Sequence, residues 1–155
     1  GAQGSIDSVA AAIKRTVQRA ERLELNLLVS PTTGMTGTPE QVTALIRKVG
    51  GFRIGAFPDF EAASAAGNAN DYLRALTPYA SVVSASFTSF SESGKHKGFD
   101  FAACVQAVES VGFDQTISLE CRGTGDPREA IAQAKASFEA LNHEEEAPED
   151  DDTDE

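Results

Sequence analysis

Two carboxylate side chains stand where apolar segments of the sequence end. Glu120 closes the run TISLE at residues 116–120, and Asp59 follows the segment FRIGAFP. A pair of carboxylates can act as a general acid and base, or can bind a divalent cation through oxygen. The pair therefore predicts a site for proton transfer or for a cation, provided that the fold brings the two side chains together.

Serines occupy the ends of the other two apolar segments. Ser30 follows LNLLV, and Ser84 and Ser86 alternate with apolar residues in VVSASF. Strands often end on polar residues simply because the chain enters water there. The pattern alone leaves two interpretations open, a polar ligand site or a set of solvated strand ends.

Helical and strand patterns alternate along the chain. Apolar residues recur at helical spacing in five segments: 9–20, 42–49, 70–76, 101–111 and 127–141. Four short apolar segments separate or follow them: 25–30, 52–57, 80–87 and 116–120. The alternation predicts an α/β fold with a parallel sheet and right-handed crossovers, in which ligands bind beyond the carboxyl ends of the strands.

Local signals fix several helix starts. Thr38-Pro39-Glu40-Gln41 predicts a capping box with proline at the first helical position, and Asp100 and Asp126 each precede a helical pattern. No G-x-G-x-x-G or P-loop sequence follows any predicted strand. A nucleotide-binding sheet therefore lacks its usual sequence support.

Acidic residues are concentrated at the carboxyl end. Residues 144–155 hold nine acidic residues and no basic one, whereas the rest of the chain is close to neutral. This composition predicts a disordered, solubilising tail at 143–155 after a folded domain at 1–142.

Several classes of partner and environment are excluded or favoured by composition. No basic stripe with aromatic residues is present, so we expect no nucleic-acid binding, and no apolar run is long enough to span a membrane. Cys104 and Cys121 lack metal-site spacing, and Cys104 falls on the apolar face of a predicted helix. These features favour a cytoplasmic protein.

The residues around Glu120 resemble a known family. GFDFAACVQAVESVGFDQTISLECRGTGDP is similar to the last βα unit of the sugar phosphate isomerase/epimerase family, the xylose-isomerase-like TIM barrels. FRIGAFPDF, LRALTPYASVVSASF and AERLELNLLVSPTTGMTGTPEQVTALIRKVG are similar to the preceding units, so the resemblance covers about residues 6 to 141. It implies four βα units of a parallel (β/α) barrel, the C-terminal half of a TIM barrel.

The resemblance also implies one metal ligand at each of the four strand ends, in the order Glu, Asp, His, Glu. The corresponding residues here are Ser30, Asp59, Ser84 and Glu120, and Ser86 stands where the family carries a lysine. A serine hydroxyl is a poor replacement for a carboxylate or an imidazole on a divalent cation. We therefore expect an incomplete site, with Asp59 and Glu120 as catalytic carboxylates and as ligands of weakly bound Mg²⁺ or Mn²⁺.

Three basic residues are further candidates for substrate binding, together with Ser30, Ser84 and Ser86. Arg122 lies two residues after Glu120, and Lys95 and His96 lie in the polar segment after the third strand. Each of the three could bind a sugar or a phosphate. Alternatively, Arg122 is a salt-bridge partner at the rim, and Lys95 and His96 lie at a solvated loop tip.

The implied function is that of an isomerase or epimerase for a sugar or sugar phosphate, with weak or lost catalysis. The alternative is a non-catalytic carbohydrate-binding or interaction domain on the same fold. A third possibility, the abasic-site endonuclease branch of the superfamily, lacks the metal ligands and the basic face that it needs. Half a barrel leaves two open edges and an apolar inner face, so we expect self-association or a missing N-terminal half-barrel.

Overall fold

The computed structural model describes residues 6–32, 34–91 and 93–145, with side chains described as far as residue 141. Within those ranges the helices are α1 Ile6–Arg22, α2 Pro39–Val49, α3 Phe60–Ala65, α4 Ala69–Leu76, α5 Phe101–Glu109 and α6 Pro127–Glu145. The strands are β1 Leu27–Val29, β2 Ile54–Ala56, β3 Val82–Phe87 and β4 Thr116–Cys121. Two short 3₁₀ segments, Gly34–Thr36 and Thr77–Tyr79, precede α2 and β3.

The four strands are parallel and follow the chain order. β1 pairs with β2, and β3 pairs with β4 over its whole length. Single parallel bridges, Ala56 to Ala80 and Asp59 to Ser84, join β2 to β3. The order β1-β2-β3-β4, with helices between the strands, is the arrangement predicted for four units of a (β/α) barrel.

The helices cover one face of the sheet. Val83, Ala85 and Phe87 of β3 are completely buried in the main core together with residues of α2, α4 and α5, such as Leu73 and Val105. A second, smaller core lies between α1 and α2 and is formed by Ala10, Val17, Leu45 and Val49. Burial of these apolar side chains, worth about 1.5 to 3 kcal/mol for each large one, supplies most of the stability of the sheet.

The predicted caps form as expected. Gln41 N donates to Thr38 Oγ1 at 3.4 Å while Gln41 Oε1 accepts from Thr38 N at 3.2 Å, so the capping box of α2 is confirmed. Asp100 Oδ1 accepts from Ala103 N at 3.0 Å at the start of α5. Cys104 is buried in that helix, where burial raises the pKa of its thiol to about 12.

Two helices depart from the prediction. The sequence pattern gave no helix between Asp59 and residue 69, but α3 begins directly after Asp59, which caps it by accepting from Ala62 N at 2.9 Å. The last helix was expected to end near Leu141 and instead continues to Glu145, because glutamate propagates a helix well even where apolar spacing stops. Of the predicted acidic tail, residues 146–155 lie outside the described residues.

The inner face of the sheet is less apolar than expected. Side chains alternate along a strand, so Val82, Ser84 and Ser86 of β3 lie opposite the face that packs on the helices. Ser118 and Glu120 of β4 lie beside them in register. The prediction of an apolar inner face is therefore wrong for β3 and β4, whose inner side chains are mainly small or polar.

One glycine fixes the exit of β4. A Cβ on Gly123 would lie 1.9 Å from the carbonyl oxygen of Thr88, so no larger residue fits without moving the backbone. Arg122 N donates to Phe87 O at 2.8 Å just before this point. The strand ends of β3 and β4 therefore stay together one residue beyond the sheet, and this holds Arg122 at the carboxyl edge. None of the described helices is long and apolar enough to cross a membrane.

Candidate functional site at the carboxyl ends of the strands

Asp59 and Glu120 do approach one another, and a third side chain lies between them. The Arg122 guanidinium bonds to both: Nη2 lies 2.7 Å from Asp59 Oδ2 and 2.9 Å from Glu120 Oε2. Asp59 comes from the end of β2, and Glu120 and Arg122 come from the end of β4. The parallel order of the strands places all three at one edge of the sheet.

Every N–H group of this guanidinium points at a carboxylate oxygen. Nε donates to Glu120 Oε1 at 3.0 Å, and Nη1 donates to Asp59 Oδ1 and to Glu61 Oε2, each at 3.2 Å. With the two bonds of Nη2, all five donors of arginine are used. Both Asp59 and Glu120 are bound in the bidentate fork that suits a planar guanidinium. In this arrangement Arg122 has no free donor for a sugar or a phosphate.

The serines of β3 support this cluster rather than standing apart from it. Ser84 Oγ donates to Glu120 Oε2 at 2.9 Å, and Ser86 Oγ accepts from Glu61 N at 3.0 Å. Both serines are completely buried. Ser84 thus orients a carboxylate directly, and Ser86 holds the backbone from which Glu61 reaches Arg122.

The charges of the cluster are mutually stabilised. The hydrogen bonds from Arg122 and then from Ser84 lower the pKa of Glu120, and the opposing effect of burial is weaker than either. The same hydrogen bond from Arg122 to Glu120 raises the pKa of the guanidinium, burial opposes it, and the hydrogen bonds to Asp59 raise the pKa further. Glu120 is therefore ionised at neutral pH and is a weak base.

This arrangement does not fit a divalent metal ion. Carboxylate oxygens that would face a cation already accept N–H groups from Arg122, and Ser84 Oγ turns its proton toward Glu120. Ser30, exposed after β1, makes no hydrogen bond with the cluster. Among the described residues, no group of three His, Cys, Asp or Glu side chains is placed to hold a metal ion.

Lys95 and His96 form no hydrogen bond or salt bridge with the carboxylates among the described residues, although His96 is near enough to feel the charge of Glu61. Lys95 is exposed, and both residues line a groove of about 870 Å³ between the β3–α5 loop and α6, whose lining includes none of the cluster residues. His96 is held by its own loop: Nδ1 accepts from Phe99 N at 3.2 Å, and Nε2 lies 3.1 Å from Thr88 N. Burial lowers the pKa of His96, partly offset by that backbone bond and the charge of Glu61.

Sequence reasoning missed one member of the site, Glu61, and one neighbour of it, Tyr72. Glu61 lies two residues after Asp59, in the first turn of α3. An acidic residue just after a helix cap is the sequence feature that could have pointed to it. Tyr72 of α4 lies close enough for the charge of Asp59 to add to burial in raising its pKa to about 12. Its hydroxyl is buried and has no hydrogen-bond partner among the described residues. Nothing in the sequence distinguishes Tyr72 from an ordinary core aromatic residue.

The fold matches solved sugar epimerases. An L-ribulose 3-epimerase superposes with a TM-score of 0.75 and 16% sequence identity over 94% of this chain. A D-tagatose 3-epimerase-like protein superposes with a TM-score of 0.65 and 18% sequence identity over 90% of this chain. D-psicose 3-epimerase from Clostridium cellulolyticum H10 superposes with a TM-score of 0.64 and 11% identity over 86% of this chain. No protein-family model matches the sequence, and no curated protein does so significantly.

These comparisons establish the architecture. The chain spans 58%, 56% and 54% of the three epimerase chains, so it corresponds to about half of each. The protein is an α/β half barrel with parallel strands, of the TIM-barrel type that these epimerases share.

Proposed function

We propose that this chain is the C-terminal half of a sugar isomerase or epimerase-type barrel whose catalysis is weak or lost. The supporting observation is the position of Arg122 between Asp59 and Glu120, at the strand ends where this fold binds ligands. The working unit then includes further strands that complete the barrel, from a longer chain or from a second copy. Two structural neighbours named as sugar 3-epimerases and a third named as 3-epimerase-like support a sugar as the ligand class.

The chemistry explains why we propose weak catalysis. Epimerisation beside a carbonyl needs a base that removes a proton from carbon and a positive charge that stabilises the enediolate. Glu120 is a poor base because Arg122 and Ser84 lower its pKa. The guanidinium offers positive charge, but all of its donors are directed to carboxylates, so an enediolate would have to displace one of them.

A turnover experiment tests this proposal. L-Ribulose, D-tagatose and D-psicose would each be incubated in D₂O with the protein and Mn²⁺ or Mg²⁺, and deuterium at C3 and the epimeric sugar would be followed by NMR and chromatography. We expect slow or no exchange, and none in Glu120→Gln. Rapid cation-dependent turnover would contradict the proposal of weak or lost catalysis.

The second candidate is a non-catalytic carbohydrate-binding domain on the same fold. It is favoured because every donor of the Arg122 guanidinium is bound to a carboxylate. The strand ends then present a polar, pre-organised surface on which neither a base nor a positive charge is available for catalysis. Saturation-transfer NMR with the same three sugars separates the candidates. Sugar binding without exchange at C3 supports the second candidate, and absence of both would contradict a sugar ligand of these types.

A further inference from the structure

The strand-end cluster contains its own cation. Three carboxylates surround Arg122, and the salt-bridge distances are 2.7 Å to Asp59, 2.9 Å to Glu120 and 3.2 Å to Glu61. The Asp59 side chain is only 6% exposed, whereas those of Arg122 and Glu120 are 39% and 47% exposed. A buried carboxylate such as Asp59 needs a nearby positive charge, and Arg122 provides it.

The backbone holds the guanidinium in that position. Arg122 N is bound to Phe87 O at 2.8 Å, and Gly123 lies against Thr88 O, so the main chain on both sides of the Arg122 side chain is fixed. The cap bond from Ala62 N to Asp59 and the bond from Ser84 Oγ to Glu120 fix two of the acceptors. The guanidinium therefore fits a pre-formed set of oxygens, and little order is lost when its bonds form.

We propose that the Arg122 side chain takes the place of a divalent metal ion at this strand-end site. The resemblance of the sequence implies a metal at these positions, and the residues present disagree with it because a guanidinium uses the oxygens of Asp59 and Glu120. The cluster then binds no divalent cation while Arg122 is present. Removal of the guanidinium leaves the carboxylates of Asp59 and Glu120 without their partner, and carboxylate oxygens are the ligands that Mg²⁺ and Mn²⁺ prefer. The side chains are not placed to hold a metal ion as they stand, so binding of a cation would require them to turn toward the space that the guanidinium leaves.

Arg122→Met tests this inference because it removes the charge and keeps a side chain of similar length. Wild-type protein should give no binding heat with Mn²⁺ in calorimetry and no cation-dependent change in melting temperature. We expect Arg122→Met to melt at least about 5 °C lower without a cation, since a buried carboxylate loses its partner. Millimolar Mn²⁺ should bind to this variant and restore most of the loss.

Three further variants separate the causes. Arg74→Met, on the exposed side of α4, is the matched control, and we expect neither a large loss of stability nor cation binding. Arg122→Lys keeps the charge but not the fork, so it should lose some stability and still exclude Mn²⁺. Addition of Glu120→Gln to Arg122→Met should abolish the Mn²⁺ binding gained by the single variant.

The outcomes decide the inference in either direction. Tight Mn²⁺ binding by wild-type protein would overturn it, and so would a folded Arg122→Met protein that binds no divalent cation. If Arg122→Met is unfolded without a cation, refolding on addition of Mn²⁺ supports the inference and failure to refold contradicts it. These experiments measure cation binding and not turnover. The inference about Arg122 can therefore fail while the proposed sugar function stands, and the proposed sugar function can fail while the inference stands.

Discussion

Asp59 and Arg122, separated by 63 positions in the sequence, form two hydrogen bonds of 3.2 and 2.7 Å. The first residue follows β2 and caps α3, and the second follows β4. Their contact ties the end of one strand pair to the end of the other, where the described residues form no continuous ladder between β2 and β3. It adds to two single bridges and to the bonds from Ser84 N to Pro58 O and from Glu61 N to Ser86 Oγ. The pair is therefore expected to contribute to the cohesion of the half barrel as well as to its candidate site.

Replacement of Asp59 should cost more than the loss of a helix cap. Asp59→Ala removes the cap of α3, worth about 1 kcal/mol, and the pair with Arg122, worth about 1 kcal/mol after allowance for the exposed guanidinium. Asp100→Ala removes a comparable cap from α5 and serves as the control, because Asp100 forms no ion pair among the described residues. Urea denaturation should show a loss about twice as large for Asp59→Ala. Equal losses would mean that the contact with Arg122 adds nothing.

The buried hydroxyl of Tyr72 should be dispensable for stability. Because this hydroxyl has no partner among the described residues, Tyr72→Phe removes an unsatisfied polar group and should stabilise the fold by up to about 1 kcal/mol. Tyr79→Phe is the matched control, since Tyr79 Oη accepts from Arg47 Nε at 3.0 Å. The control should be neutral or mildly destabilising in the same thermal melts. A clear loss of stability in Tyr72→Phe would show that its hydroxyl has a partner in solution.

Stability should fall with pH through the titration of His96. Burial lowers the pKa of His96 below its ordinary value of 6.5, so the unfolded chain binds a proton more readily than the folded chain. The contribution of neutral His96 is therefore fully present above pH 6.5 and is lost as the pH falls below that value. Melting temperatures between pH 7.5 and 5 should drop less in His96→Asn than in wild-type protein. A His96 pKa at or above 6.5 by NMR would contradict this prediction.

Exposed apolar residues at the amino ends of β1 and β2 should promote association. Phe52 is completely exposed and Leu25 is 57% exposed. The residues that follow them, Arg53 and Asn26, are joined by a hydrogen bond of 3.3 Å from Nη1 to Oδ1. Light scattering should show concentration-dependent association that Phe52→Ser weakens, whereas Ile131→Ser on α6 leaves it unchanged. A monodisperse wild-type monomer that binds no hydrophobic dye would contradict this expectation.

The elements of the fold were predictable because their signals are local. The capping box at Thr38 and the cap at Asp100 could be predicted from the neighbouring residues. The alternation of helical and strand patterns was sufficient to predict a parallel half barrel. Helix α3 was missed because Asp59 was interpreted as the end of a strand, and the same residue also begins a helix. A short helix of six residues leaves little periodicity to detect.

The candidate site was predictable only in part because its geometry depends on contacts distant in sequence. The parallel order of the strands was enough to suggest that Asp59 and Glu120 approach one another. The direction of the Arg122 side chain depends on the register of β3 and β4 and on the close approach of Gly123 to Thr88. The roles of Lys95 and His96 in ligand binding remain predictions, although the ring of His96 is bound to its own loop.

A crystal structure of the wild-type protein grown with Mn²⁺ would show whether Arg122 or a cation occupies the space between Asp59 and Glu120. Anomalous scattering identifies Mn²⁺ independently of any assumption about its ligands. We expect the Arg122 guanidinium between Asp59 and Glu120 and no anomalous peak beside those carboxylates. A manganese ion bound to Asp59 and Glu120, with Arg122 turned away from both, would contradict it.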